Sequence, residues 1–134
     1  MPFNHNICLR VIVHKLCHGG IGSALARTLS ASGASLAVSG RDPQSLQELA
    51  AELGAEAFPA DAADFAAVDD VVNATLERFG RLDGVANCVG SLLLKPAHMT
   101  KPEEWAATLN TNLSSAFAIL RAAAKPLTKD GGGS

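Results

Sequence analysis

The chain is 134 residues long, which fits one domain and is enough to bury a hydrophobic core. Hydrophobic residues make up 48% of it and charged residues 18%, a composition typical of a globular protein rather than of a disordered or fibrous one. The formal net charge of -2 predicts no strongly basic face. We therefore expect neither nucleic acid nor an acidic membrane surface as a partner.

The three cysteines, Cys8, Cys17 and Cys88, are odd in number and irregular in spacing, so they do not predict a disulfide framework. They fit a reducing, cytoplasmic location. The longest apolar segments fall short of the roughly 20 residues that a membrane-spanning helix needs. Arg10 interrupts the apolar N-terminal segment and no clear cleavage site follows, so we predict no signal peptide.

The first elements alternate between strand and helix. β-branched residues predict a strand over residues 8–14. The segment "GGIGSALA" then begins a helix whose apolar positions are Ile21, Leu25 and Leu29. A second strand is predicted over Ser35–Gly40. This order is the beginning of a β-α-β unit.

The next helix has clear signals at both ends. Asp42 is a good N-cap, Pro43 suits the first helical position, and Gly54 ends the helix. Its buried stripe is predicted to be Leu46, Leu49 and Leu53. The elements that follow are a strand over residues 56–61, a helix over 64–80 and a strand over 82–90. Strands and helices therefore continue to alternate.

The last predicted helix begins near Thr100. Thr100 as N-cap and Glu103 three residues later form a capping box. We expect the helix to end near Ala123 and residues 125–134 to form a loop, because Pro126 and the glycines disfavour helix. The alternation of elements predicts an α/β fold, a three-layer parallel sheet of about four strands with helices on both faces. Ligands of such sheets bind beyond the carboxyl ends of the strands.

A glycine turn follows the first predicted strand. Gly20 and Gly22, with Ile21 between them, would place backbone N–H groups and the positive end of a helix dipole against a diphosphate. This pattern favours a nucleotide ligand. An alternative interpretation is a turn that only begins a helix.

The segment "SGRD" follows the second predicted strand, where a ribose-binding acid is expected in NAD-dependent proteins. Ser39 occupies that position instead, and Arg41 follows it. Arginine can bind a 2′-phosphate with two hydrogen bonds, whereas a carboxylate would repel it. We therefore favour NADP(H) over NAD(H), with a solvent-exposed arginine at a helix start as the alternative.

Further candidates follow the third and fourth strands. Asp61, with Ala62 beside it, is predicted to accept a hydrogen bond from an adenine amino group, or else to cap the next helix. In "NCVG", Asn87 is expected to brace adjacent loops, Val89 to line the cofactor site, and Gly90 to let a ribose or ring approach closely. The cysteine in this segment fits a small core residue better than a nucleophile.

The ordered segments "GGIG", "SGRD", "AD", "NCVG" and "NTN" resemble the short-chain dehydrogenase/reductase family. The resemblance implies one partial Rossmann NAD(P)-binding domain over residues 1–134, with strand order 3-2-1-4, and hydride transfer at a carbonyl or alcohol carbon. Asn112 matches the asparagine of the family's Asn-Ser-Tyr-Lys catalytic tetrad. Lys15 and Leu16 stand where the family has threonine and its first glycine, so we expect weakened cofactor binding.

The sequence contains no tyrosine. Because the family's tyrosine exchanges the proton with the substrate oxygen, we expect no dehydrogenase activity from this chain alone. An alternative function is a non-catalytic nucleotide-binding or dimerisation fragment. Such a fragment would associate with itself or with a full-length homologue through the helix over residues 103–123, beside an exposed fourth strand.

A metal site is the least favoured alternative. The histidines and cysteines near the N-terminus include two pairs three residues apart, a spacing that can hold zinc. The residues concerned are His5, Cys8, His14, Cys17 and His18. The paired Cys-x-x-Cys signature of structural zinc sites is missing from this group, so we predict no metal ligands among the site residues.

Overall fold

The computed structural model describes residues 10–15 and 20–129, and among residues 10–15 it describes the side chain of Val11 alone. The strands are β1 (Arg10–Lys15), β2 (Ser35–Gly40), β3 (Glu56–Pro59) and β4 (Gly84–Cys88). The helices are α1 (Gly20–Ala31), α2 (Pro43–Leu53), α3 (Phe65–Phe79), α4 (Pro102–Leu109) and α5 (Ser115–Lys129). A 3-10 turn (Ala97–Met99) precedes α4, and a π-helical turn (Asn110–Ser114) joins α4 to α5.

The strands form one parallel sheet in the order β3-β2-β1-β4. Val11 of β1 lies opposite Leu36 of β2 and Gly84 of β4, so the strands are aligned and their carboxyl ends reach the same edge. The predicted parallel sheet and its strand order are confirmed. Within the part of the chain that the structure describes, β3 and β4 are the two outer strands.

Helices cover both faces of this sheet, because side chains alternate along each strand. On one face, Leu36 and Val38 pack with Leu46, Leu49 and other residues of α1 and α2. On the other face, Ala37 packs against buried residues of α3 and α5, among them Val68, Val71, Val72, Ala118 and Ile119. The predicted three-layer arrangement is confirmed.

The capping of α2 follows the sequence prediction. The Asp42 carboxylate accepts a hydrogen bond from the Ser45 backbone N–H at 3.2 Å, and Pro43 is the first helical residue. Gly54 adopts a left-handed conformation with φ of 62° and donates its N–H to the Ala50 carbonyl. A side chain at this position would strain the backbone, which is why glycine ends the helix.

The apolar stripe predicted for α1 is partly wrong. Ile21 is 79% exposed, whereas Gly22 and Ala26 are the buried residues of the helix. Leu25 and Leu29 are half-buried. The reason is that α1 packs on the sheet through its smallest side chains, a contact that a search for large apolar residues does not find.

The start of α4 lies one residue later than predicted. Pro102 takes the first helical position, because its fixed φ suits that position, and Lys101 is therefore the N-cap. The Lys101 backbone N–H donates to the Glu104 carboxylate at 2.9 Å. Thr100 does not cap the helix, since its hydroxyl donates to the Pro96 carbonyl at 3.1 Å.

The prediction of a loop directly after Ala123 is wrong. The structure shows that α5 continues through Pro126 to Lys129. A proline inside a helix removes one hydrogen bond, but Leu127 on the following turn packs against the core shared by α3 and α5. Packing in the core therefore outweighs the local preference. Residues 130–134 lie outside the described part of the chain.

Candidate functional site

A cleft opens at the carboxyl ends of the strands, as expected for a parallel sheet with helices on both faces. Its volume is about 180 Å³. We call it the strand-end cleft. Its lining comes from the end of β2, the segments after β3 and β4, α4 and the π-helical turn: Gly40, Arg41, residues 60–63, Val89, Ala107, Asn110 and Thr111. Of the predicted site residues, Arg41, Asp61, Ala62 and Val89 are thus brought together.

Arg41 places a positive charge at the rim of the cleft. Its side chain is exposed and makes no hydrogen bond or ion pair with the residues that the structure describes. The neighbouring acid, Asp42, accepts the backbone hydrogen bond at the N-terminus of α2. The guanidinium therefore remains available to an anionic ligand.

Ser39 lies beneath the cleft rather than on its surface. The residue is 0% exposed, and its hydroxyl oxygen has no hydrogen-bond partner among the described residues. Ser39 pairs with Phe58 of β3 on one side and with His14 of β1 on the other. Of these two predicted site residues, the structure therefore places Arg41 on the cleft surface and Ser39 inside the sheet.

Asp61 and Asp64 divide two roles that the sequence left open. Asp64 caps α3, because its carboxylate accepts the backbone N–H groups of Ala66 at 3.0 Å and Ala67 at 3.2 Å. Within the described part of the chain the Asp61 carboxylate accepts the Ala63 backbone N–H alone, at 3.0 Å, and it is exposed in the cleft. The carboxylate of Asp61 thus keeps acceptor capacity for a ligand, while the side chain of Ala62 is buried beside it.

The glycine turn is described from Gly20 onward. Gly20 is the first residue of α1, and a Cβ placed there would have no atom of the described residues within 4 Å. The first turn of α1 contains no acidic residue. Gly20, Ile21 and Gly22 do not line the strand-end cleft. Lys15 is the last residue of β1, opposite Cys88, and Leu16 lies outside the described residues.

Asn87 joins the end of β4 to α5. Its side-chain amide donates to the Ser115 hydroxyl at 3.1 Å, and its side-chain oxygen accepts the Val89 N–H at 3.1 Å. The Ser115 hydroxyl in turn donates to the Thr111 carbonyl at 2.7 Å. The structure thus shows the bracing predicted for Asn87. Burial raises the pKa of the Cys88 thiol, which favours the unreactive, protonated form.

Asn112 lies in the π-helical turn and holds the segment that follows β4. Its amide nitrogen donates to the Ser91 carbonyl at 3.1 Å, to the Ser91 hydroxyl at 3.2 Å and to the Thr108 carbonyl at 2.8 Å. Its side-chain oxygen accepts the Ser91 N–H at 3.1 Å. A Cβ on Gly90 would lie 3.1 Å from that oxygen, so glycine allows the close approach. Asn112 and Gly90 therefore share one junction beside the cleft.

Sequence reasoning missed the contribution of α4 to the cleft. Ala107 of α4 lines it, together with Asn110 and Thr111 of the π-helical turn that follows. The asparagines of "NTN" are a usable signal, since they interrupt an otherwise apolar helix. No comparable signal marks Ala107, because its position depends on how α4 packs.

Metal-ligand groups and membrane-spanning helices can be assessed only for the residues that the structure describes. No group of histidine, cysteine and acidic side chains in residues 20–129 is arranged to hold a metal ion. The zinc alternative depends on residues 5–18, whose side chains are outside the described set. No helix in the described part of the chain is both long and apolar enough to cross a membrane.

Comparisons with known proteins agree with this arrangement. A family model described as enoyl-(acyl carrier protein) reductase matches residues 17–134. D-threitol dehydrogenase of Mycolicibacterium smegmatis is 34% identical over 119 residues, covering 85% of this chain and 46% of that protein. 2,3-Dihydro-2,3-dihydroxybenzoate dehydrogenase of Bacillus subtilis is 36% identical over 111 residues, covering 79% and 42%. The chain spans about half the length of these relatives.

Solved structures give the same result. A short-chain type dehydrogenase/reductase from Mycobacterium ulcerans matches 93% of this chain and 48% of its own, with a TM-score of 0.87 and 28% identity. The chain belongs to the short-chain dehydrogenase/reductase family. A 3-ketoacyl-ACP reductase from Sinorhizobium meliloti matches 92% of this chain and 51% of its own, with a TM-score of 0.83 and 30% identity. The family is one of oxidoreductases that bind a nicotinamide dinucleotide.

The residues at the strand ends fit the family's cofactor. The Arg41 guanidinium, which has no partner among the described residues, suits a phosphate, and the first turn of α1, which contains no acidic residue, suits a diphosphate. The Asp61 carboxylate suits an amino group. The chain's own donor and acceptor groups thus fit the parts of a dinucleotide. They follow β1, β2 and β3, which are neighbours in the sheet.

Proposed function

We propose that this chain forms the nucleotide-binding part of an oxidoreductase that transfers hydride between NADP(H) and a carbonyl or alcohol carbon. The observation that carries the proposal is the strand-end cleft, where Arg41 and Asp61 follow the adjacent strands β2 and β3. Membership of the short-chain dehydrogenase/reductase family supports it. The proposal includes a single partial Rossmann domain and a cytoplasmic location.

In this proposal Arg41 selects the phosphorylated nucleotide. The planar guanidinium donates two hydrogen bonds to the 2′-phosphate, and Ser39 adds no negative charge that would oppose it. Asp61 accepts the adenine amino group, with Ala62 and Val89 as small neighbours of the ring. The backbone N–H groups of residues 20–22 bind the diphosphate at the start of α1.

At the other end of the nucleotide, the junction of Asn87, Gly90 and Asn112 receives the nicotinamide ribose. When bound, the cofactor supplies the hydride. Asn112 holds the backbone of Ser91 in place and thereby fixes the edge of the reaction centre. The proton-transfer group of the family is a tyrosine, and these 134 residues contain none. We therefore expect this chain by itself to bind nucleotide without turning over a carbonyl substrate.

Calorimetric titration with NADPH and NADH tests the proposal. We expect NADPH to bind at least about tenfold more tightly than NADH, and Arg41→Ala to lower NADPH affinity about 10- to 100-fold by removing a charge-assisted pair. Arg121→Ala is the matched control, because Arg121 pairs with Asp69 away from the cleft. Equal affinity for the two nucleotides, or an Arg41→Ala variant with unchanged affinity, would contradict the proposal.

A second candidate function is association with another copy or with a full-length homologue. Apolar side chains spaced along α4 and α5 are exposed on one stripe, namely Leu109, Leu113, Phe117 and Leu120. An exposed apolar stripe of this length favours a protein partner. This function is compatible with nucleotide binding, since the stripe does not line the strand-end cleft.

A further inference from the structure

A second cavity lies beside the contact of Asn112 with Gly90 and Ser91, which we call the Asn112 junction. This cavity differs in character from the strand-end cleft. It is a groove of about 630 Å³ between the segment after β4 and the first turns of α4. We call it the leucine groove. Its lining includes Ser91, Leu92, Leu93, Lys95, Lys101 and Trp105. The volume lies within the range of small-molecule sites.

The walls of the groove are apolar and open to solvent. Leu92 is 86% exposed and Trp105 is 57% exposed, although both are large hydrophobic side chains. Leaving such side chains exposed side by side is unfavourable unless a ligand covers them. The groove therefore suits the apolar body of a ligand.

The charge in the groove is positive, and only one of its two lysines is neutralised. The Lys95 ammonium donates to both carboxylate oxygens of Glu104, at 2.8 and 2.9 Å. The Lys101 ammonium has no partner among the described residues, and no acidic residue lines the groove. The groove thus combines an apolar wall with one available cation.

The groove is connected to the proposed reaction centre through three consecutive residues. Val89 lines the strand-end cleft, Gly90 lies against the Asn112 side chain, and Ser91 lines the leucine groove. Asn112 holds Ser91 by hydrogen bonds to its N–H, carbonyl and hydroxyl groups. A substrate whose reacting carbon lies near Asn112 would extend from there into the groove.

We propose that the leucine groove binds the substrate's apolar chain and that Lys101 binds a carboxylate at the end of that chain. The substrate class is then an aliphatic oxo acid or hydroxy acid whose carboxylate lies away from the reacting carbon. Assignment of the groove to the substrate rests on the proposed oxidoreductase function. Binding of an apolar carboxylate to the groove is a property of this chain's own residues and is tested without turnover.

The sole tryptophan of the chain provides a direct readout. Trp105 lines the groove, and no tyrosine is present, so the indole emission reports on this site alone. Octanoate is the probe, with octanol and octylammonium as neutral and cationic counterparts of the same length. We expect a saturable blue shift with octanoate, and affinities for octanol and octylammonium that are at least three- to fivefold weaker, about the factor of one exposed ion pair.

Two variants separate charge from apolar contact. Lys101→Gln should weaken octanoate binding about three- to fivefold and leave octanol binding unchanged, whereas Leu92→Ser should weaken both. Lys129→Gln is the matched control on a distant helix end. Equal affinity of octanoate and octanol, a non-saturable response, or insensitivity to Lys101→Gln would overturn the inference.

The outcome is independent of the nucleotide proposal. A chain that binds NADPH but shows no saturable octanoate response would retain the proposed function and lose this inference. A chain that binds octanoate through Lys101 but does not bind NADPH would retain the groove as a carboxylate site and contradict the proposed function. The two titrations use different ligands and different signals, so each result is assigned to one proposal.

Discussion

The strand-end cleft and the leucine groove lie on opposite sides of the Asn112 junction and are built in different ways. The cleft is small, about 180 Å³, and places charged side chains after adjacent strands. The groove is about 630 Å³ and is formed by an irregular segment packed on a helix. The comparison indicates that a parallel sheet fixes the strand-end cleft, which we propose binds nucleotide, whereas the leucine groove depends on one segment and its few anchors.

The Asn112 side chain holds Ser91 of the leucine groove, and its removal has the larger of the two effects that we expect within the groove. Asn112→Ala leaves the Ser91 N–H without its acceptor and removes two hydrogen bonds to Ser91. We expect amide hydrogen exchange at Ser91 to become about fivefold faster, since one such bond contributes about 1 kcal/mol. Exchange in β2 should not change, because that strand lies in the core.

Asn73→Ala is the matched control for this variant, because Asn73 is exposed on α3. If Ser91 exchanges at the same rate in Asn112→Ala and in Asn73→Ala, the junction does not hold the groove. If β2 exchange also accelerates, the variant loosens the whole domain and the two regions are not separable.

Replacing Glu104 should have a smaller effect, because this residue anchors the leucine groove but does not line the strand-end cleft. The backbone N–H of Lys101 and, next, the ammonium of Lys95 donate hydrogen bonds that lower the pKa of the Glu104 carboxyl. A carboxyl whose pKa is lowered on folding stabilises the native state above its unfolded pKa of about 4.3 and loses this contribution as the pH falls through the folded value. The stability difference between wild type and Glu104→Gln should therefore shrink as the pH falls from 7 to 3.

Urea unfolding at several pH values, with NMR titration of the carboxyl, checks this expectation. Glu103→Gln removes a charge from the same turn and serves as the control. A Glu104 carboxyl that titrates at or above the ordinary glutamate value would contradict the proposed anchoring. Nucleotide affinity should not change in Glu104→Gln, because the residue does not line the strand-end cleft.

The same contrast explains how much could be predicted from the sequence. Arg41, Asp61 and Val89 could be placed together because β2, β3 and β4 end at one edge of a parallel sheet. Asp42 and Gly54 could be assigned because capping depends on local geometry. These predictions needed only the strand order and the residues that cap the helices.

The remainder depends on packing that no local pattern encodes. The shift of the N-cap from Thr100 to Lys101 follows from Pro102, and the continuation of α5 through Pro126 follows from contacts with α3. The exposure of Ile21 follows from close packing of α1 through smaller residues. The shape of the leucine groove likewise depends on a contact between distant residues, because the Lys95–Glu104 ion pair joins the segment after β4 to α4.

The central claim is that NADPH binds in the strand-end cleft, and amide chemical-shift mapping of the isotope-labelled chain tests it most directly. On addition of NADPH we predict the largest shifts at Gly40, Arg41 and residues 61–63, with smaller shifts at Val89 and none at residues 76–81 beyond the opposite end of the sheet. NADH should produce smaller shifts at Arg41. Absence of shifts at these positions, or their concentration elsewhere on the chain, would contradict the account.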